Sequence, residues 1–384
     1  MRDRFHFFLS DTNRILIFCY SLFISIIYFI FNDGWQYHPD SYDYIQGLEV
    51  LKNGGEWYDE DIAFRPGAVY LSFPLTLLFN NVNSIGIHNL IIYFLFGNVF
   101  YSFTNKITND KDISFWSTLL LISSFPILYW GISILNDLGG WFFLILSIFL
   151  IIQLFDNDFE SKFLIFSALV LGFGVLYKPT VLPSAIFFTI WLFIQRKEIG
   201  ISKSIIIWLK FTFISLLPLI VNTFIINYFW GYDFSEIVEK EFFGKSDTSL
   251  MIGFKYTYTY KFLTLLIVFP FLPIFFFYSK DFFINLNDFR NKQLLVLLAS
   301  CFLWFLFSSL RTASPRYAFI LFPVIYIWLG AIYLNMLTSV SKKFNTNIDK
   351  LRYSILILIT LVNLLIIIND KYIRESIGIW YYDV

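Results

Sequence analysis

A short acidic and aromatic segment, residues 38–44 (HPDSYDY), is the part of this sequence whose side chains are best suited to catalysis or binding. It leads into a stretch with helical apolar spacing, and in a helix Asp40 and Asp43 would lie three residues apart on one face. Two converging carboxylates suit a general base, a pair of metal ligands, or mutual adjustment of their pKa values. The alternative is structural: Asp40 caps the following helix and Asp43 occupies its first turn, where the helix dipole favours an acid.

Arg65, which is followed by Pro66 and Gly67, is the second candidate. A guanidinium group can hold a lipid phosphate because it presents two parallel donors in one plane. Alternatively, the side chain lies along apolar surface and keeps its charged end in water, which requires no ligand. The sequence leaves both interpretations open.

The other candidates stand at the ends of apolar runs: Asp137, Lys178, Arg311, Arg316 and Tyr317. Asp137 follows Asn136, so it is either part of a helix cap or a carboxylate that faces a polar cavity. The cations lie in short turns between spans. They run against the tendency of basic residues to stay on the cytoplasmic side, and an anionic ligand on their face would explain them. Simple extension of each side chain to the interface is the alternative.

The composition indicates what kind of scaffold must position these residues. Of 384 residues, 58% are hydrophobic and 15% are charged, compared with about 45–50% and about 25% in soluble domains. A water-soluble core cannot bury that much apolar surface, so lipid must cover much of it. The net charge of zero argues against a nucleic-acid partner, which needs clustered positive charge. We find no dinucleotide fingerprint, zinc helix or nucleophile elbow; the sequence indicates no certain cofactor and leaves a divalent metal open.

Eleven apolar runs approach the roughly 20 residues that a membrane helix requires. They are 13–31, 85–104, 113–130, 137–155, 162–177, 180–195, 203–227, 261–279, 292–310, 316–337 and 352–369. The stretch 66–80 is apolar but short and contains Pro74, so we interpret it as an interfacial helix. The sequence therefore predicts an all-α polytopic membrane protein with one transmembrane domain over residues 1–384.

Basic residues that flank the spans favour a cytoplasmic N-terminus. With this orientation the protein has two sizeable outside loops, 32–84 and 228–260, and the first of them carries the acidic segment and Arg65. We therefore expect a multi-pass protein of the cell (inner) membrane with its active site on the outer face.

In this order, these features resemble the polytopic glycosyltransferases of the GT-C superfamily. Segment 38–41 (HPDS) is similar to the His-x-Asp-Glu motif of some mannosyltransferases in that superfamily, with Ser41 in place of the second acid. Segment 64–67 (FRPG) is similar to the Lys/Arg-Pro-Pro segment of the aminoarabinose and protein mannosyl transferase branch. Arg316 and Tyr317, with Pro323 after them, resemble the Arg-Tyr and later Pro of the same branch. The chain is also shorter than many members.

This resemblance implies an inverting glycosyltransferase that moves a sugar from a polyprenyl-phosphate donor to a glycan, lipid or protein acceptor. Asp40 would be the general base that deprotonates the acceptor hydroxyl. The cations would neutralise the donor phosphate as it leaves, and these are Arg65, Lys178, Arg311 and Arg316. The remaining candidates would contact and orient the substrate: Asp43, Asp137 and Tyr317.

Two other functions compete with this one. A surface-polysaccharide polymerase also uses lipid-linked substrates, but Arg-rich loops late in the chain are typical of it, whereas here the largest acidic loop comes first. A secondary transporter or lipid flippase should bury charges near the middle of its spans, and only Lys210 approaches that position.

Overall fold

The computed structural model describes residues 11–32, 35, 38, 40–57, 60–232, 269, 289–309, 315–345 and 347–368. Throughout these ranges it contains helices and turns and no strand, and the chain is an all-α polytopic membrane protein. The α-helices are α1 Thr12–Asn32, α2 Ser41–Asn53, α3 Glu60–Phe64, α4 Gly67–Ser72, α5 Asn81–Thr108, α6 Lys111–Ile122, α7 Asp137–Asp156, α8 Ser161–Tyr177, α9 Pro183–Ile194, α10 Arg196–Ile199, α11 Ile201–Trp230, α12 Phe289–Ser309, α13 Pro315–Ala318, α14 Phe322–Phe344 and α15 Ile348–Ile368.

Among the described residues, five helical segments are long and apolar enough to cross a membrane. They are Thr12–Ile30, Asn81–Thr108, Asp137–Asp156, Ile201–Trp230 and Phe319–Phe344. Shorter apolar helices occupy Gly67–Leu77, Ser161–Tyr177, Pro179–Ile194 and Asn291–Phe307. The predicted span 261–279 lies outside the described residues except for Phe269, as does the predicted loop 228–260 after residue 232.

Burial separates the central helices from the peripheral ones. Helix α7 is apolar all round and is mostly buried by its neighbours, so it lies at the centre of the bundle. Helix α11 is just as apolar but exposes most of its surface, including Phe213 and Phe224. Its exposed apolar side chains face lipid.

The predicted span 113–130 is a regular α-helix only as far as Ile122. Pro126 explains the break, because its ring lacks an N–H and would clash with the carbonyl four residues earlier, that of Ile122. A π-helical turn, Ile127–Gly131, and a buried irregular segment, 132–136, follow before α7 begins.

Irregular backbone inside a membrane protein needs hydrogen-bond partners from the protein itself. Polar side chains from two helices, α5 and α15, supply them. The Tyr93 hydroxyl donates to the Ile122 carbonyl at 2.9 Å, and the Asn363 amide donates to the Ser123 carbonyl at 2.8 Å. The Asn89 amide donates to the carbonyls of Ser133 (2.7 Å) and Leu135 (2.8 Å). The segment that leads into Asp137 is therefore held in one conformation.

The stretch predicted to be an interfacial helix is a short α-helix, α4, followed by a 3₁₀ turn over Phe73–Leu77 that contains Pro74. Leu77 and Leu78 at its end are largely exposed. The segment is too short to cross a bilayer, which requires about 20 residues.

Candidate active site

Four charged side chains from four distant parts of the chain meet at one end of α7. Arg316 Nη2 lies 2.8 Å from Asp40 Oδ2, and Arg316 Nη1 lies 3.5 Å from Asp137 Oδ2. Lys178 Nζ forms an ion pair with Asp137 Oδ1. The result is a row of alternating charges, Asp40–Arg316–Asp137–Lys178. We call it the outer cluster, after the face of the membrane that the sequence predicts for it.

The outer cluster has a buried end and an open end. The Asp137 and Lys178 side chains are 1% and 7% exposed, Arg316 is 21% exposed, and Asp40 is 41% exposed. Burial lowers the pKa of the Lys178 ammonium to about 8, although the neighbouring Asp137 carboxylate opposes this change. A substrate can therefore reach Asp40, while Asp137 and Lys178 form a fixed pair of charges beneath it.

The structure decides against the capping interpretations of the two acids. Asp40 stands at the N-cap of α2, but its side chain makes no hydrogen bond to the helix and contacts Arg316 instead. Asn136 stands at the N-cap of α7 and likewise makes no side-chain cap; its amide donates to the Tyr177 carbonyl at 3.1 Å. Lys178 is buried against Asp137, so it does not extend into solvent.

Ser41 fixes the position of Asp40. Its buried hydroxyl donates to the Ile134 carbonyl at 2.7 Å and accepts from the His38 backbone N–H at 2.8 Å. These bonds attach the first residue of α2 to the irregular segment that precedes Asp137. Ser41 stands where the resembled motif has a second acid, and here its hydroxyl connects the segment that carries Asp40 to the segment that leads into Asp137.

Two glycines allow Lys178 to reach Asp137. A Cβ atom on Gly139 would overlap the Tyr177 ring, and one on Gly140 would lie 2.9 Å from Lys178 Cβ. The turn after α8 therefore packs directly on the first turn of α7. Tyr177 is held from its other side by His88, whose Nε2 lies 3.0 Å from the phenol oxygen.

The start of α4, two residues after Arg65, packs closely against the backbone before Lys178 because Gly67 has no side chain. A Cβ on Gly67 would lie 2.6 Å from the Tyr177 Cα, so α4 rests on the backbone that precedes Lys178. Asn222 in α11 supports the same segment, since its amide accepts from the Tyr70 hydroxyl at 2.9 Å and lies 3.4 Å from the Phe64 carbonyl.

The pKa of Tyr44, one turn into α2, responds to the charged groups around this site. Burial raises the pKa of its phenol well above its ordinary value, and the nearby Asp137 and Asp40 carboxylates raise it further. Arg316 and Arg65 act in the opposite direction, which places both cations within electrostatic reach of Tyr44.

The remaining predicted site residues are less fully described. Asp43 is half-buried in the first turn of α2. Arg311 lies outside the described residues, and for Tyr317 the structure describes the backbone in α13 alone. Within the described ranges, no group of three or more His, Cys, Asp or Glu side chains is arranged to hold a metal ion.

Sequence inspection missed the polar residues that support the site from within the helices: Ser41, His88, Asn89 and Asn222. Three of these stand inside apolar runs or beside them, and an uncharged polar residue in such a run is itself a signal, because its side chain must find a partner in the protein. That signal was present at Asn89 and Asn222, but the sequence did not identify their hydrogen-bond partners.

No protein-family model matches the chain, and no curated protein sequence matches it. Among solved structures, the chain is similar to the crystal structure of the apo oligosaccharyltransferase of Archaeoglobus fulgidus. The TM-score is 0.57 and the identity is 13%; the match covers 93% of this chain and 56% of that one. The two chains share a fold.

Proposed function

We propose that this protein is a membrane glycosyltransferase that moves a sugar from a polyprenyl-phosphate donor to a glycan, lipid or protein acceptor. One observation carries the proposal: a partly exposed carboxylate, Asp40, is paired with Arg316 above the buried Asp137–Lys178 pair. The fold shared with an oligosaccharyltransferase supports the same reaction class. The basic residues near the spans support an inner-membrane protein with a cytoplasmic N-terminus and this site on the outer face.

In the proposed reaction Asp40 is the general base. Its Oδ2 contacts Arg316, which leaves the other carboxylate oxygen to accept the proton of the acceptor hydroxyl. As that proton leaves, the acceptor oxygen forms a bond to the anomeric carbon, and the bond from that carbon to the phosphate oxygen breaks. The electron pair departs with the polyprenyl phosphate.

In this reaction Arg316 acts on both the general base, Asp40, and the departing phosphate. Before transfer it shares its charge between Asp40 and Asp137. When Asp40 becomes protonated it loses its negative charge, and Arg316 can then stabilise the charge that develops on the departing phosphate. Asp137 holds Arg316 in place throughout.

The other predicted residues complete the proposed binding set. Arg65 and Lys178 contribute positive charge near the donor phosphate, and Arg311 would do the same from the turn before Arg316. Asp43 and Tyr317 would contact the substrate.

The decisive experiment replaces Asp40 by Asn. With membranes that contain the full chain and a labelled polyprenyl-phosphate sugar, we expect transfer to fall by about 10²–10⁴-fold, the usual contribution of a general base. Membrane insertion should persist, because the Asp40 side chain is partly exposed. Glu49→Gln is the matched control, since Glu49 is an exposed carboxylate on the same helix, and it should keep full activity. Full activity of Asp40→Asn would refute the assignment.

The transporter alternative gains no support from Lys210. Its side chain is exposed on α11, the helix with the most lipid-facing surface among the described spans, so it does not form a buried charge in a central pathway.

A further inference from the structure

A polar cavity lies at the opposite end of α7 from the outer cluster. Helix α7 begins with Asp137 in that cluster and ends with Asp156 at the cavity. Its 20 residues rise about 1.5 Å each, so the two sites are about 30 Å apart, roughly the thickness of a bilayer core. The cavity has a volume of about 440 Å³, within the range of small-molecule sites, about 300–1,000 Å³.

Two cations and one acid line this cavity: Arg14, Lys106 and Asp156. Arg14 is fixed, because its Nη2 donates to Ser102 Oγ at 2.9 Å and its Nε lies 3.7 Å from Asp11 Oδ2. Lys106 Nζ lies 2.5 Å from Asp156 Oδ2, and both side chains are more than one-third exposed. Such a hydrated ion pair is weak and can exchange partners, so Lys106 is available to an incoming anion.

Gln293 adds a buried amide to the same cavity. Its side chain is only 4% exposed and lines the cavity wall. An amide that faces a cavity can donate to and accept from a ligand that is bound there. The cavity wall also carries further amides, from Asn105, Asn109 and Gln153.

We propose that this cavity binds a phosphate group that carries hydroxyls. Arg14 and Lys106 hold the phosphate, since guanidinium and ammonium groups are its usual partners in proteins. Gln293 and the neighbouring amides donate to and accept from the hydroxyls. This chemistry is found in a phospholipid headgroup such as phosphoglycerol, and also in a soluble glycerol phosphate. The proposal does not depend on the reaction at the outer cluster.

The test uses the full chain in nanodiscs of phosphatidylcholine, alone, with added phosphatidylglycerol, or with soluble glycerol 3-phosphate. The thermal unfolding midpoint as a function of probe concentration gives the affinity, because a ligand of the folded state raises stability by mass action. We expect a saturable rise with at least one probe. A response to phosphatidylglycerol alone identifies a lipid site, and a response to glycerol 3-phosphate identifies a site for a soluble ligand.

Two variants and one control decide whether the cavity is responsible. Lys106→Gln and Gln293→Leu should each weaken the affinity about tenfold, which corresponds to 1.4 kcal/mol. Lys111→Gln should leave it unchanged, because Lys111 is an exposed lysine on the adjacent α6 outside the cavity. Lys106 is partly exposed, so its variant should fold normally. The proposal fails if neither probe raises the midpoint, or if Lys106→Gln and Lys111→Gln bind as tightly as the original chain.

Discussion

The two ends of α7 carry the same ion pair in opposite environments. At its start, Asp137 and Lys178 are 1% and 7% exposed; at its end, Asp156 and Lys106 are 36% and 39% exposed. Each is a lysine–aspartate contact, but the first pair has lost its hydration and each charge depends on the other. The second pair keeps its water and contributes little to stability. The difference between the pairs therefore comes from burial and not from contact distance. The buried pair holds its partners fixed, whereas the exposed pair can exchange partners with an incoming anion.

The largest expected effect is a difference in stability between variants at the two ends of α7. Asp137→Asn leaves Lys178 buried without its negative partner, and we expect a loss of about 3–5 kcal/mol in the free energy of unfolding. Asp156→Asn is the matched change at the exposed end, and it should cost no more than about 1 kcal/mol. Chemical denaturation of the two variants in the same detergent measures the difference. Equal losses would show that burial does not distinguish the pairs.

A double variant sharpens the same comparison. Asp137→Asn combined with Lys178→Met removes both buried charges, so most of the lost stability should return. Sugar transfer should nevertheless be lost in the double variant, because Arg316 no longer contacts a carboxylate at position 137 and the site has lost the Lys178 cation. If stability does not recover, the cost of Asp137→Asn comes from something other than an unpaired lysine.

Gly139→Ala should have the next largest effect. The added methyl group overlaps the Tyr177 ring and pushes the turn that carries Lys178 away from α7, at a cost of about 1–3 kcal/mol for an overpacked core. Gly131→Ala is the control, since its Cβ would meet Leu138 Cδ1 at 3.4 Å, an ordinary contact. Thermal unfolding and transfer assays should show both losses at Gly139 and neither at Gly131.

A pH titration should give opposite signs for activity and stability. Lys178 has a folded-state pKa of about 8, whereas an unfolded lysine has a pKa of about 10.4. Above pH 8 the folded chain loses this positive charge near the donor phosphate, so transfer should decline. Between about pH 8 and 10 the unfolded chain binds more protons than the folded one, so this residue makes stability rise with pH. Lys178→Arg should abolish the alkaline decline in transfer, and an unchanged decline in that variant would assign it to another group.

Much of the architecture was predictable from local pattern. The sequence predicted the spans around α1, α5, α7, α11 and α14, and the same pattern predicted the short helix after Arg65. It also selected Asp40, Asp137, Lys178 and Arg316 as candidates, because charges at the ends of apolar runs are costly and need a reason. It did not predict the end of α6 at Ile122, although Pro126 was visible, since a proline can also be accommodated within a membrane helix.

Hydropathy alone determined that this chain is a helical membrane protein. Each apolar run can be recognised from a local stretch of sequence. Within the bilayer core, the backbone of such a run satisfies its hydrogen bonds by forming a helix. The pairing of Asp40 with Arg316 was decided only by the tertiary structure, because 276 residues separate them and no local pattern encodes that contact. The sequence left Asp40 open as a helix cap, a general base or a metal ligand. Its role depends on which cation the folded chain brings to it.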